Sequence, residues 1–180
     1  MMGTMRAIIL TAVVALAACR GATEPANGFY ESLPADQVLM GVNHAVTVDG
    51  VRRSLLRSDT TLVFNDSSAV QLRGVNLEIY SEEGNLRATL TSLAGTLNQN
   101  TNQMVAQGNV VLIVHGPQGR TVWTEELHYD PGQKRIWSDV RTRTRTERGE
   151  DLTGEGFSSD EEFRNFQIRQ PAGTGIRIEF

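Results

Sequence analysis

The sequence predicts an all-β fold: an elongated β-jelly roll, or two-sheet antiparallel sandwich, built from long bent strands. Three observations predict it. The first is a hairpin at residues 108–129, GNVVLIVHGPQGRTVWTEELHY, where two apolar runs flank a Gly-Pro-Gln-Gly turn. β-branched and aromatic residues suit a pleated surface, and Gly and Pro suit the turn angles. The second is spacing: turn signals at Gly84, Asn100, Gly116 and Gly132 recur every 16 residues. Subtracting the turns leaves strands of about twelve residues, roughly 40 Å at 3.4 Å per residue, about twice the usual length. The third is phase. Val70 and Leu72 are even-numbered, whereas Val75, Leu77 and Ile79 are odd; Leu86, Ala88 and Leu90 give way to Leu93 and Leu97; Val122 and Thr124 give way to Leu127 and Tyr129. A one-residue slip moves side chains to the other face unless the strand bulges and bends. Bends are therefore expected at Arg73-Gly74, Thr91-Ser92 and Glu125-Glu126, and in the remaining strand Gly108 and Asn109 could do the same job. Bends at one level across neighbours let one strand serve two sheets.

The N-terminus has its own logic. Arg6 precedes the apolar run 7–18, and Leu16-Ala17-Ala18-Cys19 follows. This order suits a secretory signal, and Leu-Ala-Ala-Cys resembles a bacterial lipobox. Twelve apolar helical residues reach about 18 Å, short of the roughly 30 Å hydrocarbon core, which argues against a transmembrane helix. We expect a signal peptide at 1–18, a lipidated Cys19 with a tether at 19–40, and one β domain at 41–180. Two or more acyl chains on Cys19 suffice for stable membrane attachment, on a surface facing an extracytoplasmic space. Arg20 after the cysteine leaves the sorting between inner and outer membrane open.

Taken in order, residues 20–28 read as tether, and residues 29–39 as a short helical or irregular lead-in around Pro34 and Asp36. Val42, His44, Val46 and Val48 alternate as a first strand. Asp49-Gly50 is a tight-turn pair, 51–56 returns from it, and 60–64 is a further strand closed by Asn65-Asp66-Ser67-Ser68. The long strands described above follow. In 141–147, RTRTRTE, the arginines Arg141, Arg143 and Arg145 fall on one face and the threonines on the other. That stripe suits anions such as phosphate or acidic sugars; it equally suits a solvated edge strand kept apart by charge. Residues 152–157 form a strand before the acidic turn 158–162, 163–169 has no clear phase, and 176–180 is a short terminal strand. A terminal strand can template a strand from another protein.

Composition and motifs exclude much. The net charge is −4, with 16 arginines and the single lysine Lys134, which argues against a nucleic-acid partner. One cysteine permits no internal disulfide. There is no Gly-x-Ser-x-Gly elbow and no phosphate-cradling glycine loop, and His44, His115 and His128 lack metal-ligand spacing, although the hairpin could bring His115 and His128 together. We expect neither an enzyme nor a metal or cofactor.

Residues 75–92 (VNLEIYSEEGNLRATLTS), 107–139 (QGNVVLIVHGPQGRTVWTEELHYDPGQKRIWSD) and 152–160 (LTGEGFSSD) resemble the LptC family. The likeness rests on Tyr80 and Gly84, Gly108-Asn109-Val110, Gly119, Thr124, Leu127-His128-Tyr129-Asp130, and Gly154-Glu155-Gly156-Phe157 with Asp160. It implies a β-jelly roll that binds lipopolysaccharide for export. Such a protein receives the lipid from an inner-membrane LptB/LptF/LptG-type ABC transporter. It then passes the lipid to an LptA-type bridge protein by edge-to-edge strand pairing. The implied location is the periplasmic face of the inner membrane, here held by lipid where the family commonly has a transmembrane helix. In that role acyl chains need a long dry trough, and Val110, Leu112, Val114, Val122, Leu127, Tyr129, Ile136 and Val140 are its inner-face candidates. Gly154 and Gly156 permit close backbone approach or a tight bend near the partner edge. The alternative is a structural envelope lipoprotein whose closed sandwich tethers partners without binding lipid.

Overall fold

The alternating runs become long strands in a computed structural model, which describes residues 35–117 and 119–172. Strands β1 (Gln37–Val48), β2 (Val51–Val63), β3 (Ala69–Tyr80), β4 (Leu86–Asn98), β5 (Met104–Val114) and β6 (Arg120–Asp130) form an antiparallel meander. Each is 11–13 residues long. The next two passes are broken in the middle. β7 (Arg135–Ser138) pairs with one end of β6, and β8 (Thr142–Thr146) with the other. β9 (Asp151–Gly154) pairs with β8 and β10 (Phe157–Asp160) with β7. β11 (Gln167–Ile168) joins β10, and Ala172 bridges to Thr153. All eleven strands belong to one hydrogen-bonded sheet, and the described residues contain no helix.

The sheet is folded along a line that crosses every pass. Paired positions step over Gly41 opposite Asp59, Asp59 opposite Gly74, and Gly74 opposite Leu93. The register then shifts between Thr91 and Ala94 against β5, and between Gln107 and Val110 against β6. The line continues through Glu125, the break at residues 139–141 and the break at Glu155-Gly156. Gly74 (φ 62°) and the pair Gly108-Asn109 (φ 75° and 48°) supply the left-handed backbone that the bends require. The bends in β3, β4 and β6 stand where the phase slips predict them, and that of β5 falls at Gly108-Asn109. Leu93 differs: it sits on the crease itself, 63 % exposed, against the α-carbon side of Gly108.

The ends of the chain correct several expectations. Gln37–Leu39 belong to β1 and not to an irregular lead-in, because Asp36 N–H already bonds the Val63 carbonyl and starts the ladder. Residues 51–56 and 60–64 are one strand bent at Asp59, not two. The arginine run is not an edge, since β8 has β6 on one side and β9 on the other. Residues 1–34, including the signal segment and Cys19, and the expected strand 176–180 lie outside the described residues.

A crease breaks the ladder, and buried carbonyls freed from it need donors. Inward hydroxyls supply them. Ser92 Oγ is 2.8 Å from the Ala94 carbonyl and Thr142 Oγ1 is 3.0 Å from that of Val140. Thr124 Oγ1 lies 3.2 Å from the carbonyls of Glu126 and Arg141 and 2.9 Å from Ser138 Oγ. Thr124→Val keeps the volume and removes the hydroxyl. Urea unfolding of this variant should show a loss of about 1–2 kcal/mol, the cost of a buried group left unsatisfied, with an unchanged m-value.

Candidate functional site

The two halves of the folded sheet enclose one apolar interior. Along β5, Met104, Ala106, Val110, Leu112 and Val114 point inward; along β6, Val122, Leu127 and Tyr129 do. β2, β3 and β4 close over them with Leu56, Val70, Leu77, Ile79 and Leu90, and the last passes add Ile136, Phe157 and Phe163. Alternation on a pleat puts every second side chain here, and the crease resets the count so that both halves of each strand keep facing in.

Seven of the eight inner-face candidates meet in this cluster: Val110, Leu112, Val114, Val122, Leu127, Tyr129 and Ile136. Leu112 is 0 % exposed. Val140, an inner-face candidate by its sequence, lies outside this interior. It is 37 % exposed in the break between β7 and β8, where the chain bends outward and only its backbone meets the inner hydroxyls of Ser138 and Thr142. Gly154 and Gly156 are close-approach positions. A Cβ on Gly154 would stand 2.4 Å from the Arg169 carbonyl oxygen, and one on Gly156 2.4 Å from that of Ser138.

The interior is packed. The pocket between His44, Leu56, Leu77, Met104 and Tyr129 holds about 10 Å³, about the space one water needs. Any long guest requires the halves to part. Among the described residues the sheet is open, with β1 at one end of the strand order. Among the described residues β1 pairs only with β2 and presents Leu39, Met40 (59 % exposed) and Val48 to solvent. Unpaired strand edges of this kind recruit further strands.

One end of the interior is closed by charge. Glu161, in the turn after β10, is 5 % exposed. It accepts a hydrogen bond from Tyr129 Oη at 3.0 Å and pairs with Arg53 of β2 at 3.2 Å. Burial raises the Glu161 carboxyl above its ordinary range, against the pull of Tyr129 and Arg53. Burial, then Glu161, also raises the Tyr129 phenol. Arg53 Nε is buried without a hydrogen-bond partner among the described residues. Around this core, Lys134 pairs with Glu82 at 2.6 Å and Arg87 with Glu162 at 2.6 Å. These bonds tie β2, β4 and the β3–β4 turn to the last passes. Sequence reasoning finds Tyr129 and misses Arg53 and Glu161; neither lies in a motif, and 108 residues separate them.

The histidines stay apart. His115 Nε2 is 3.1 Å from Thr89 Oγ1 in the β5–β6 turn, while His128 stacks on Trp137 at the other end of β6. No group of His, Cys, Asp or Glu among the described residues could hold a metal. The arginine stripe is divided in its duties. Arg145 bonds Asp151 at 2.7 Å, Arg143 lies 5.2 Å over the Trp123 ring, and Arg141 has no ion pair among the described residues.

Three comparisons bear on this arrangement. The family model described as lipopolysaccharide-assembly, LptC-related, matches residues 31–172. No curated protein matches the sequence. Among solved structures, one similar chain is LptH of Pseudomonas aeruginosa, described as the LptA-homologous periplasmic component of the conserved lipopolysaccharide transport device. It is 15 % identical, with a TM-score of 0.51 over 69 % of this chain and 85 % of that one. At that identity the likeness is one of fold.

Proposed function

The chain belongs to the LptC family of lipopolysaccharide-assembly proteins, and on that premise we propose that its folded sheet takes the acyl chains of lipopolysaccharide between its two halves and passes the lipid on. Membership of the family supports a part in lipopolysaccharide transport, as a transport component. The observation that supports the finer reading is the apolar interior, continuous across the crease and bounded, among the described residues, by an open sheet. Val110, Leu112, Val114, Val122, Leu127, Tyr129 and Ile136 would line the loaded trough. Loading parts the two halves, and the Arg53–Glu161–Tyr129 cluster marks the end that must yield. In this reading Cys19 carries the lipid that holds the protein on the periplasmic face of the inner membrane. The lipid arrives from an LptB/LptF/LptG-type transporter and leaves through strand pairing with an LptA-type bridge at a free edge.

The packing itself favours a second reading, a closed sandwich that tethers envelope proteins, because the inward side chains form one buried apolar cluster. One experiment separates the two. A photo-crosslinking residue is placed at Leu112, and a control at Gln71, which is exposed on β3, in cells making the protein. Crosslinks to lipopolysaccharide at position 112 and not at 71 are expected. Folded, abundant protein that captures lipid at neither position would leave the tether as the better account.

A further inference from the structure

We propose that the groove on the outer side of the crease is a second ligand site, and that it takes an acidic saccharide. The groove has a volume of about 560 Å³, within the range of small-ligand sites. It exists because neighbouring passes bend at one level: the Gly108-Asn109 bulge of β5, Glu125 of β6, and the break at Arg141 all open onto it. It lies on the side away from the apolar interior. Val111, Trp123 and Arg143 are cross-strand neighbours on the outer face, alternating with the buried Val110, Leu112, Val122, Thr142 and Thr144.

Its chemistry is mixed in a particular way. Trp123 forms an apolar wall beside Val111, with the Arg143 guanidinium 5.2 Å from its ring centroid. The partly negative ring face suits the C–H faces of a sugar ring. Asn109, Glu125, Arg141 and Thr153 converge on the same groove. None of these four side chains has a hydrogen-bond or ion-pair partner among the described residues, whereas the nearby Arg143 and Arg145 share Asp151. Asn109, Glu125 and Thr153 can bond hydroxyls, and Arg141 offers one bidentate fork to a carboxylate or phosphate. One uncommitted cation beside a carboxylate disfavours a polyanion and favours a ring carrying a single acidic group among hydroxyls. Asn109 itself sits at φ 48°, held by the bulge that Leu93 covers from outside. Such strain is retained where the surroundings enforce it, often at binding positions. The site does not depend on the interior holding acyl chains.

The test uses the full chain with Trp137→Phe, which leaves Trp123 as the fluorescent reporter. Digalacturonic acid is the acidic probe, lactose the neutral one, and intact lipopolysaccharide and its delipidated saccharide are run in parallel. We expect saturable quenching by digalacturonic acid and affinity for lactose about tenfold or more weaker. Arg141→Ala should weaken acidic binding by a similar factor, as expected for losing a charged hydrogen bond, and Arg145→Ala should leave it unchanged. If the delipidated saccharide binds in the same Arg141-dependent way, the lipid's own sugars are a natural source. If only digalacturonic acid does, the source is a free acidic saccharide; both results support the site. Equal binding of lactose, no saturation, or equal losses in Arg141→Ala and Arg145→Ala would overturn it. Binding of intact lipopolysaccharide that ignores Arg141 while digalacturonic acid does not bind would also overturn it, and would leave the Leu112 crosslinking result untouched.

Discussion

Glu161→Ala is expected to lower the stability of the folded domain by about 3 kcal/mol or more, the usual cost of leaving one partner of a buried ion pair alone. Three losses converge. Arg53, whose side chain is 14 % exposed, loses its 3.2 Å partner. Its Nε already lacks a hydrogen-bond partner among the described residues, and the remaining carboxylate, Glu82, is 3.8 Å away and exposed. The Tyr129 hydroxyl loses its acceptor in the apolar interior. Urea unfolding reads the loss as a lower midpoint. Glu161→Gln, which can still accept from Tyr129, should cost less. A double change of Arg53 and Glu161 to leucine should recover much of the loss, because a buried pair replaced by apolar groups is often neutral. A cost below about 1 kcal/mol for Glu161→Ala, as for an exposed pair, would mean that the cluster does not close the interior.

The same residue sets a sign for pH dependence. Burial raises the folded Glu161 carboxyl above the ordinary value of 4.5. As pH falls from neutral toward that value, the folded state takes up its proton before the unfolded state does, so this group's contribution to stability rises. Other carboxylates act in the opposite direction. Arg57 and Tyr80 hold Glu78 low, Arg169 holds Asp139 low, and Arg145 holds Asp151 low. Their stabilisation is present above the unfolded values and is lost as pH falls through the folded ones. The maximum of stability should therefore lie on the acid side of neutral, and Glu161→Gln should remove the rise toward it while sparing the acid limb.

Local pattern made the strands and their bends legible. Each phase slip in β3, β4 and β6 is a one-residue count, and the pleat makes such counts visible. The bend at Gly74 and the one at Glu125 follow from this alone. The bends of β1 and β2 were not legible, because Gly41 and Asp59 sit among residues that are polar or half-exposed on both faces, and a slip between two polar faces leaves no trace. Seven interior candidates were legible by the same alternation. Val140 was not, because an apolar residue in a strand break follows the turn and not the pleat. The arginine stripe was legible as a face, but its division was not. Whether an arginine meets Asp151, Trp123 or solvent depends on which strand lies next to β8. Glu161 is the extreme case: its partner comes from the other end of the sheet, and only the folded register brings them together.

Gly154→Val should detach the last segment of the chain and, in the proposed role, abolish hand-off to a strand-pairing partner while leaving the interior folded. The new Cβ would stand 2.3 Å from Ile168 Cγ2 and 2.4 Å from the Arg169 carbonyl oxygen. The first contact could be relieved by a rotamer change. The second cannot, because that carbonyl is backbone and accepts the Glu155 N–H at 3.0 Å. The segment must lift, and it takes with it the Arg169 N–H bond to Gly156, the Ala172 N–H bond to Thr153, and the Phe166 ring from its stack on Phe157. Hydrogen exchange should show the amides of Arg169 and Ala172 losing protection while those of β3 to β6 keep theirs, since the long meander is paired independently of this edge. Gly149→Ala is the control. Unlike Gly154 it has positive φ, at 86°, but nothing lies within 4 Å of its added Cβ, so it should cost only about 1 kcal/mol of backbone strain and leave the edge protected. If Gly154→Val loses edge protection and lipopolysaccharide export together while Leu112 still captures lipid, the C-terminal edge is the route out of the trough. If it loses edge protection and exports normally, the partner docks elsewhere, and β1, with Leu39 and Met40 exposed along it, becomes the edge to test.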